Sequence, residues 1–293
     1  MKRKFKDNAW FAVFTVPVII VFATVVIIPS VMGLYLSLFE WDGIPKNPKV
    51  FVGLLNFANV FKDKDFLNAA KLTLKYTLVA VITINILALF FALLLTTKRR
   101  ANNLVRTMIF APNMIGGLIL GYAWKFIFSD VIPFIFQNAP KAAVFSNWLI
   151  NNNLSLYAIV VVSTWSMTGY IMIIYIAGIQ SISSDVMEAA SIDGANYFQV
   201  LRYITIPLLA PALTTTIFLT LSNSFKIYDV NLSLTNGAPA KATRMLSMDI
   251  VQTMLTKSEY GYGQAKAIVF FVFVAAITLT QVFFSKKVED KTA

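Results

Sequence analysis

Six long stretches of this 293-residue chain contain no Asp, Glu, Lys or Arg. They cover residues 10–39, 76–97, 107–124, 154–180, about 206–225, and 267–285. A helix needs about 20 mostly apolar residues to cross a bilayer, and in lipid it satisfies its own backbone hydrogen bonds. The sequence therefore predicts an all-α membrane protein with six transmembrane helices. The first stretch is longer than a bilayer requires, and its hydrocarbon part is predicted to end near Pro29.

The composition excludes several classes of function. Charged residues make up 13% of the chain, whereas a soluble domain carries about 25%. The chain has no Cys and no His, which excludes disulfides, thiol or imidazole catalysis and Cys/His metal sites. A membrane-embedded enzyme would need a nucleophile or an acid–base group in a span, and the six stretches offer none. The sequence therefore predicts a protein that is not an enzyme and has no metal site.

The positions of Lys and Arg predict the orientation. They crowd before the first stretch and between the second and third, at Lys2, Arg3, Lys4, Lys6, Lys98, Arg99, Arg100 and Arg106. Because such residues accumulate on the cytoplasmic side, both termini are predicted to be cytoplasmic. The basic start also suits a signal peptide, but the apolar run is too long for one, so an uncleaved span is expected. The net charge of +11 is spread between the spans, which indicates anchoring at the bilayer rather than nucleic-acid binding.

One polar segment, which contains EAASIDGANYFQVLRYITIPLLAP, separates the fourth and fifth stretches. Asp185 followed by Glu188 resembles a capping box at the start of a short helix, with Ser183 and Ser184 as alternative caps. Gly194 supplies the turn that follows, because glycine adopts a left-handed backbone at low cost. The orientation places this segment in the cytoplasm.

A second helix is predicted to begin near Ala195, and Pro207 and Pro211 predict a bend where the chain re-enters the membrane. A helix–turn–helix also suggests DNA, but residues 181–206 hold one Arg against three acids, which disfavours phosphate binding. A connector resting on lipid is the other alternative, although such helices are usually rich in Lys and Arg. The acidic, capped helix fits docking onto another protein better.

These residues carry a family resemblance. Glu188-Ala189-Ala190, Asp193-Gly194-Ala195, Ile204 and Ile206-Pro207 resemble the EAA signature of permeases of bacterial binding-protein-dependent ABC importers. Ile206 stands where that signature usually has Leu. The segments FVGLLNFANVF, FAPNMIGGLILGYAW and LTNGAPAKAT are similar to the maltose-type sugar permeases, so the likeness extends over about residues 10–285.

The resemblance implies a six-span type I ABC importer permease fold with a cytoplasmic coupling helix that docks on an ATPase. Glu188 and Gly194 are the positions most directly implicated, and the whole assigned set is Glu188, Ala189, Ala190, Asp193, Gly194, Arg202 and Pro207. The chain has no GxxxxGK[ST] phosphate loop, so ATP-Mg is expected on the partner ATPase and no cofactor on this chain. The implied domains are a basic tail (1–9), a permease domain (10–285) with its EAA coupling loop (181–207), and a C-terminal tail (286–293).

The resemblance also implies partners and a location. The partners are a second homologous permease, a cytoplasmic ATPase dimer, an extracytoplasmic solute-binding protein and a sugar substrate, all at the bilayer of the bacterial inner membrane. The binding protein is expected to contact Asn236, Gly237 and Pro239 in the extracytoplasmic connection 226–266.

Spans without charge favour a neutral cargo over an ion-coupled carrier. Aromatic rings interleaved with amides and hydroxyls suit the C–H faces and hydroxyls of a sugar. The residues assigned to cargo contact are Asn113, Trp165, Ser166, Met167, Tyr170, Thr220, Asn223, Ser224 and Tyr228. By the resemblance, Tyr170 falls on an aromatic substrate contact and Ser224 on an amide contact, where Ser is a shorter partner. The alternative role for Trp and Tyr is a place in the belt of aromatic residues at the membrane–water interface. Another ABC cargo, such as glycerol phosphate or an amino acid, and a stand-alone secondary carrier remain alternatives.

Three glycines in the third stretch, Gly116, Gly117 and Gly121, allow either close helix packing or a gap beside a pathway, and packing is the expectation.

The topology gives a direct prediction. Because the chain lacks Cys, a single Ser191→Cys substitution provides one labelling site in the polar segment. We expect an impermeant maleimide to label it in inside-out vesicles and not in right-side-out vesicles. Labelling of right-side-out vesicles alone would overturn the predicted orientation.

Overall fold

In the computed structural model, the protein is described over residues 2–96, 100–138 and 147–289. The α-helices in chain order are α1 (Lys2–Phe22), α2 (Ile28–Leu36), α3 (Leu55–Val60), α4 (Lys64–Leu95), α5 (Arg100–Phe110), α6 (Gly117–Phe126), α7 (Ile132–Phe136), α8 (Ser155–Gln180), α9 (Ser184–Ile192), α10 (Tyr197–Val200), α11 (Ile206–Leu208), α12 (Ala210–Phe225), α13 (Asp229–Leu234), α14 (Leu246–Leu255) and α15 (Tyr260–Glu289). A two-residue antiparallel pair, β1 (Phe39–Glu40) and β2 (Val50–Phe51), aligns Phe39 with Phe51. Lys98, Arg99 and parts of the predicted second span and C-terminal tail lie outside the described residues.

The chain forms two compact units. The first comprises Met1–Phe66 and Ile250–Phe271, and the second comprises Leu67–Asp249 and Val272–Ala293. Among the described residues, five helical segments are long and apolar enough to cross a membrane. A sixth candidate is the bent pair Tyr197–Leu208 and Ala210–Phe225, so the predicted six spans agree with the helices.

The third predicted span, residues 107–124, needs new bounds. Its helix stops at Phe110, a 3₁₀ turn covers Ala111–Met114, and the backbone at Ile115 is extended before α6 begins. Pro112, which lacks a backbone donor, accounts for the break. The apolar helical segment is instead Gly117–Phe136, and it contains Lys125 and Asp130.

The Ile-Pro pairs that lie within helices share one local backbone structure. A π turn precedes each of them, at Ala23–Ile27 before Pro29, Ile127–Val131 before Pro133, and Leu201–Thr205 before Pro207. In each turn the N–H of the Ile bonds a carbonyl five residues back, as from Ile28 to Ala23. The wider turn makes room for the proline ring, which clashes with the preceding turn of a regular α-helix. The first helix therefore continues past Pro29 to Leu36.

The fourth and fifth spans are close to their predicted bounds. α8 covers Ser155–Gln180, and the chain bends by 66° between α11 and α12. The bend lies at Leu209, between Pro207 and Pro211, and so confirms the predicted kink.

The core of the second unit lies along α4 and α8. Every fourth residue of α4 from Tyr76 is buried, namely Tyr76, Ala80, Ile84, Ala88 and Ala92. This spacing puts all five on one helix face, and the alanines let a neighbouring backbone approach closely. Hydrogen bonds along this face join α4 to α8: Tyr76 Oη donates to Ser163 Oγ at 2.8 Å, and the hydroxyls of Thr83 and Thr164 lie 3.0 Å apart.

An ion pair between Lys266 and Asp63 organises the first unit. Lys266 is 0% exposed, and its Nζ lies 2.8 Å from Asp63 Oδ2 and 3.0 Å from Thr253 Oγ1. Tyr262 Oη donates to the same carboxylate oxygen at 3.1 Å. Burial alone raises the pKa of Asp63, but the hydrogen bond and charge of Lys266 outweigh it and lower the pKa to about 2.

The pair predicts a pH-dependent stability. Because the folded-state pKa of Asp63 lies below the ordinary 3.8, the pair stabilises the fold above about pH 4, and this contribution is lost as the pH falls towards 2. Asp63→Asn removes the carboxylate charge that lies 2.8 Å from the buried Lys266 Nζ, so we expect a loss of about 3 kcal/mol at pH 6. Thermal unfolding of the two purified proteins at pH 6 and pH 3 measures this. A gap between them that does not narrow at pH 3 would contradict the assignment.

Candidate functional site

The polar segment forms a capped helical hairpin, residues 183–205. The Ser183 side chain caps α9 by accepting from the Asp185 N–H at 3.2 Å, so one of the two alternative caps is used, and Asp185 lies in the first turn of the helix instead of capping it. At the other end Gly194 has a φ of +73° and the Ala195 N–H bonds the Ala190 carbonyl at 2.9 Å. This is the usual glycine-terminated helix end.

The second helix of the hairpin has its own capping box, which the sequence reasoning missed. Asn196 Oδ1 accepts from the Gln199 N–H at 3.0 Å, and Gln199 Oε1 accepts from the Asn196 N–H at 2.7 Å. Asn three residues before Gln is itself a readable start signal, so α10 begins at Tyr197 rather than near Ala195. Both ends of the Gly194 turn are therefore fixed by local hydrogen bonds.

The hairpin exposes both charge and apolar surface. Of the residues assigned to coupling, Ala190 is buried and Pro207 half-buried, whereas Glu188, Ala189, Asp193, Gly194 and Arg202 are exposed. Ile192 is 85% exposed and Phe198 77%, with Tyr197 and Tyr203 also open. A side chain added at Gly194 would meet nothing within 4 Å. Large apolar side chains held open on a capped scaffold are typical of a surface that contacts another molecule.

The cargo residues predicted on α8 lie at different depths. Trp165 is 44% exposed, and its ring meets that of Trp124 on α6 edge-on with centroids 5.5 Å apart. Ser166, Met167 and Tyr170 are half-buried, as is Asn113 in the 3₁₀ turn. Trp165 therefore presents about half of its surface away from the core.

On and after α12 the predicted set separates into buried and open residues. Thr220 and Ser224 are buried, Asn223 is exposed, and Tyr228 is half-buried. Thr220 accepts a hydrogen bond from Asn85 Nδ2 at 2.9 Å, so its hydroxyl is engaged in helix packing. Ser224 Oγ is buried with no partner among the described residues. Asn223 is thus the residue of this set whose side chain is open to a ligand.

A buried polar network ties three spans together, and sequence reasoning did not single it out. Tyr175 Oη of α8 donates to Asn85 Oδ1 of α4 at 2.8 Å and accepts from Thr216 Oγ1 of α12 at 2.7 Å. Asn85 closes the network through Thr220. An Asn in the middle of an apolar span is the sequence signal, but its partners are 90 and 135 residues away in the chain.

The loop after α13 is built around Asn231, which is fully buried. Asn231 Nδ2 donates to the Thr243 carbonyl at 2.7 Å, and Asn231 Oδ1 accepts from Thr235 Oγ1 at 2.8 Å. Of the residues predicted to contact a binding protein, Asn236 is exposed, Pro239 half-buried and Gly237 buried. Asn236 and Gly237 have φ values of 50° and 81°. The hydrogen bonds of Asn231 therefore hold the loop in place, and Asn236 is exposed at its surface.

Glycines of α6 hold α13 in place. A Cβ at Gly117 would lie 2.9 Å from Asp229 Cβ, and one at Gly121 would lie 1.9 Å from Ser233 Oγ. The predicted close packing is therefore confirmed for these two glycines. A Cβ at Gly116 would meet nothing within 4 Å. Within the described residues, no group of three acidic side chains is placed to hold a metal ion.

Comparisons with known proteins agree with the fold. Residues 84–290 match the family of binding-protein-dependent transport system inner membrane components. A probable starch degradation products transport system permease protein, AmyD of Thermoanaerobacterium thermosulfurigenes, is 43% identical over 97% of both chains. The trehalose/maltose transport system permease protein MalF of Thermococcus litoralis is 28% identical over 95% of this chain and 94% of its own.

Among solved structures, a chain of a bacterial ABC transporter involved in the import of the acidic polysaccharide alginate superposes with a TM-score of 0.83 at 20% identity. The match covers 97% of this chain and 98% of that one. At this identity the likeness establishes the fold.

Proposed function

Because this chain belongs to the inner membrane components of binding-protein-dependent transport systems, we propose that it is a permease subunit of an ATP-driven importer of neutral oligosaccharides of the kind released from starch. Family membership makes the chain a transport subunit of the inner membrane rather than an enzyme, and it removes the stand-alone secondary carrier. The 43% identity to a permease named for starch degradation products supports the cargo class.

The hairpin 183–205 is the observation that carries the coupling role. The hairpin exposes Ile192 and Phe198 together with Glu188, and large apolar side chains of this kind suit a cleft on a second protein rather than water. In the proposed complex this protein is a cytoplasmic ATPase dimer that holds ATP-Mg, and this chain binds no cofactor. The coupling residues remain Glu188, Ala189, Ala190, Asp193, Gly194, Arg202 and Pro207.

The proposed complex also contains a second homologous permease and an extracytoplasmic binding protein. The tail 1–9, the end of the chain from residue 286 and the loop 181–207 are cytoplasmic in this proposal. The loop with Asn236 lies on the opposite side, where the binding protein delivers the sugar.

The proposed mechanism is alternating access driven from the hairpin. Closure of the ATPase dimer moves α9, and the π turn before Pro207 joins the hairpin to α12. Thr216 of α12 bonds Tyr175 of α8, which bonds Asn85 of α4, so a shift of α12 reaches both other spans. Hydrogen bonds between transmembrane helices contribute about 0.6 kcal/mol each, so they can guide helices without locking them.

The proposed cargo path uses open side chains. Trp165 and Asn223 are the exposed members of the predicted cargo set, and together they supply an aromatic face and an amide. A phosphorylated cargo such as glycerol phosphate would need several cations. Lys226, an exposed residue directly after α12, adds one cation to this set, so the neutral sugar is favoured.

Gly194 gives a test of coupling. Its φ of +73° is strained for a branched side chain, and a bulky group there also projects onto the docking surface. In the reconstituted complex with binding protein, we expect Gly194→Leu to reduce uptake of labelled maltotriose at least tenfold while ATP hydrolysis continues. Gly194→Asn is the matched control, because Asn tolerates the left-handed backbone and should retain more uptake. If Gly194→Leu took up maltotriose as fast as the wild type, the coupling role would be rejected. If the wild-type complex imported no neutral saccharide, the cargo class would be rejected.

Substrate contacts are tested by truncation at the two open positions. We expect Trp165→Ala and Asn223→Ala each to change the relative uptake of maltose, maltotriose and maltotetraose by severalfold, because each removes a ligand-facing group. Assembly should be unchanged, as measured by co-purification with the ATPase. Loss of assembly with unaltered sugar preference would mean that these side chains serve packing.

A further inference from the structure

A cavity in the first unit is lined by residues outside the six predicted charge-free stretches. It has a volume of about 710 Å³ and is formed by the β1–β2 hairpin, α3 and the residues that lead into α15. This volume is within the range of about 300–1,000 Å³ that is usual for small-molecule sites. The proposed cargo path does not use any of its residues.

Two fixed aromatic rings line the cavity. Trp41 Nε1 donates to the Ile44 carbonyl at 3.0 Å, and the ring meets Tyr260 edge-on at 5.4 Å. Tyr262 is held through its Oη by Asp63, and Lys266 Nζ lies over one face of its ring, 4.9 Å from the centroid, so the opposite face is the one offered to a ligand. Rings that are already oriented lose little side-chain entropy when a ligand binds. Aromatic faces are the surfaces on which the apolar C–H faces of a sugar pack.

The polar part of the cavity consists mainly of hydrogen-bond acceptors. Asn56 is 7% exposed, and its Nδ2 donates to the carbonyls of Ser37 and Phe39 at 2.9 and 3.0 Å. Its Oδ1 has no partner among the described residues, so the amide is fixed with its acceptor left over for the cavity that it lines. A fixed acceptor of this kind matches a hydroxyl donor.

Carboxylates are further hydrogen-bond acceptors in the cavity. Glu40, Asp42 and Glu259 line the cavity. Lys49 is not a lining residue, but its Nζ lies over one face of the Trp41 ring, 4.7 Å from the centroid, so the three carboxylates outnumber this cation. The Ile44 N–H and the Asn47 amide hydrogen-bond the Asp42 carboxylate and lower its pKa, which keeps it ionised. Carboxylates accept hydrogen bonds from hydroxyls and repel anions. The lining therefore suits a neutral polyhydroxylated ligand and disfavours an acidic one.

We propose that this cavity is an extracytoplasmic binding subsite for a neutral saccharide, which packs on Trp41 and Tyr262 and donates hydroxyl hydrogens to Asn56 and the carboxylates. The proposal rests on the proposed function for its side of the membrane and for its sugar class. The subsite would hold the saccharide outside the translocation path, on the side of the membrane to which a binding protein delivers it.

The test measures maltotriose binding to the assembled permease–ATPase complex in nanodiscs without binding protein. Saturation-transfer-difference NMR reports the binding. Asn59 is an exposed lining residue of α3, so Asn59→Trp fills the cavity without disturbing the core. Asn68→Trp is the matched control, because Asn68 is an exposed residue of α4 outside the cavity lining. We expect saturable binding to the wild type and to Asn68→Trp, at least tenfold weaker binding to Asn59→Trp, and no binding of anionic trigalacturonate.

Equal maltotriose affinity in the wild type and Asn59→Trp, or equal affinity for trigalacturonate, would overturn the subsite. Uptake of maltotriose supplied on a binding protein is measured on the same preparations. A complex that imports maltotriose but does not bind it at this cavity rejects the subsite and leaves the proposed function standing. A complex that binds maltotriose at the cavity but imports no neutral saccharide supports the subsite and rejects the proposed function.

Discussion

Backbone N–H and C=O groups in a bilayer have no water to bond, so every interruption of a span has to be repaired within the protein. This chain places Ile-Pro pairs in three of its helices, and a π turn precedes each of them. The i→i−5 bond of that turn keeps a donor and an acceptor paired at the point where the proline ring disrupts the regular ladder. The third of these turns, at Leu201–Thr205, forms the end of the hairpin that leads through α11 into α12, so it lies on the path by which a push on the hairpin would reach the spans.

The polar groups of the second unit divide into those that tie helices and those that stay open. Tyr175, Asn85, Thr216 and Thr220 saturate one another, and Tyr76 is paired with Ser163. Asn223 and Trp165 remain open. Mean composition cannot separate these roles, because Thr220 and Asn223 lie within one turn of the same helix. Burial distinguishes the two roles, since a buried hydroxyl is hydrogen-bonded within the protein whereas an exposed amide is available to a ligand.

Much of the architecture could be predicted from charge and periodicity alone. The absence of charge over about 20 residues locates α8 almost to the residue, and Gly194 with two prolines locates the turn and the bend. The third span escaped this reasoning, because Lys125 and Asp130 lie inside the helical segment while the apolar run before it is broken at Pro112. The Lys266–Asp63 pair was also beyond reach. It joins residues about 200 positions apart, and no local pattern encodes such a partner.

The two ends of the proposed transport route are built differently, and the difference fits their tasks. The loops assigned to the extracytoplasmic side are anchored by two buried ion pairs, Arg244–Asp249 at 2.7 Å and Lys266–Asp63 at 2.8 Å. Removing one partner of such a pair is costly, so each pair holds the loops of its own unit in one shape. The hairpin 183–205 is held by local caps and by Gly194, and it leaves its large apolar side chains without cover. A segment that transmits motion needs a rigid local structure and an apolar surface that binds its partner. A surface that receives a soluble protein needs a fixed shape. The hairpin meets the first requirement, and the anchored loops meet the second.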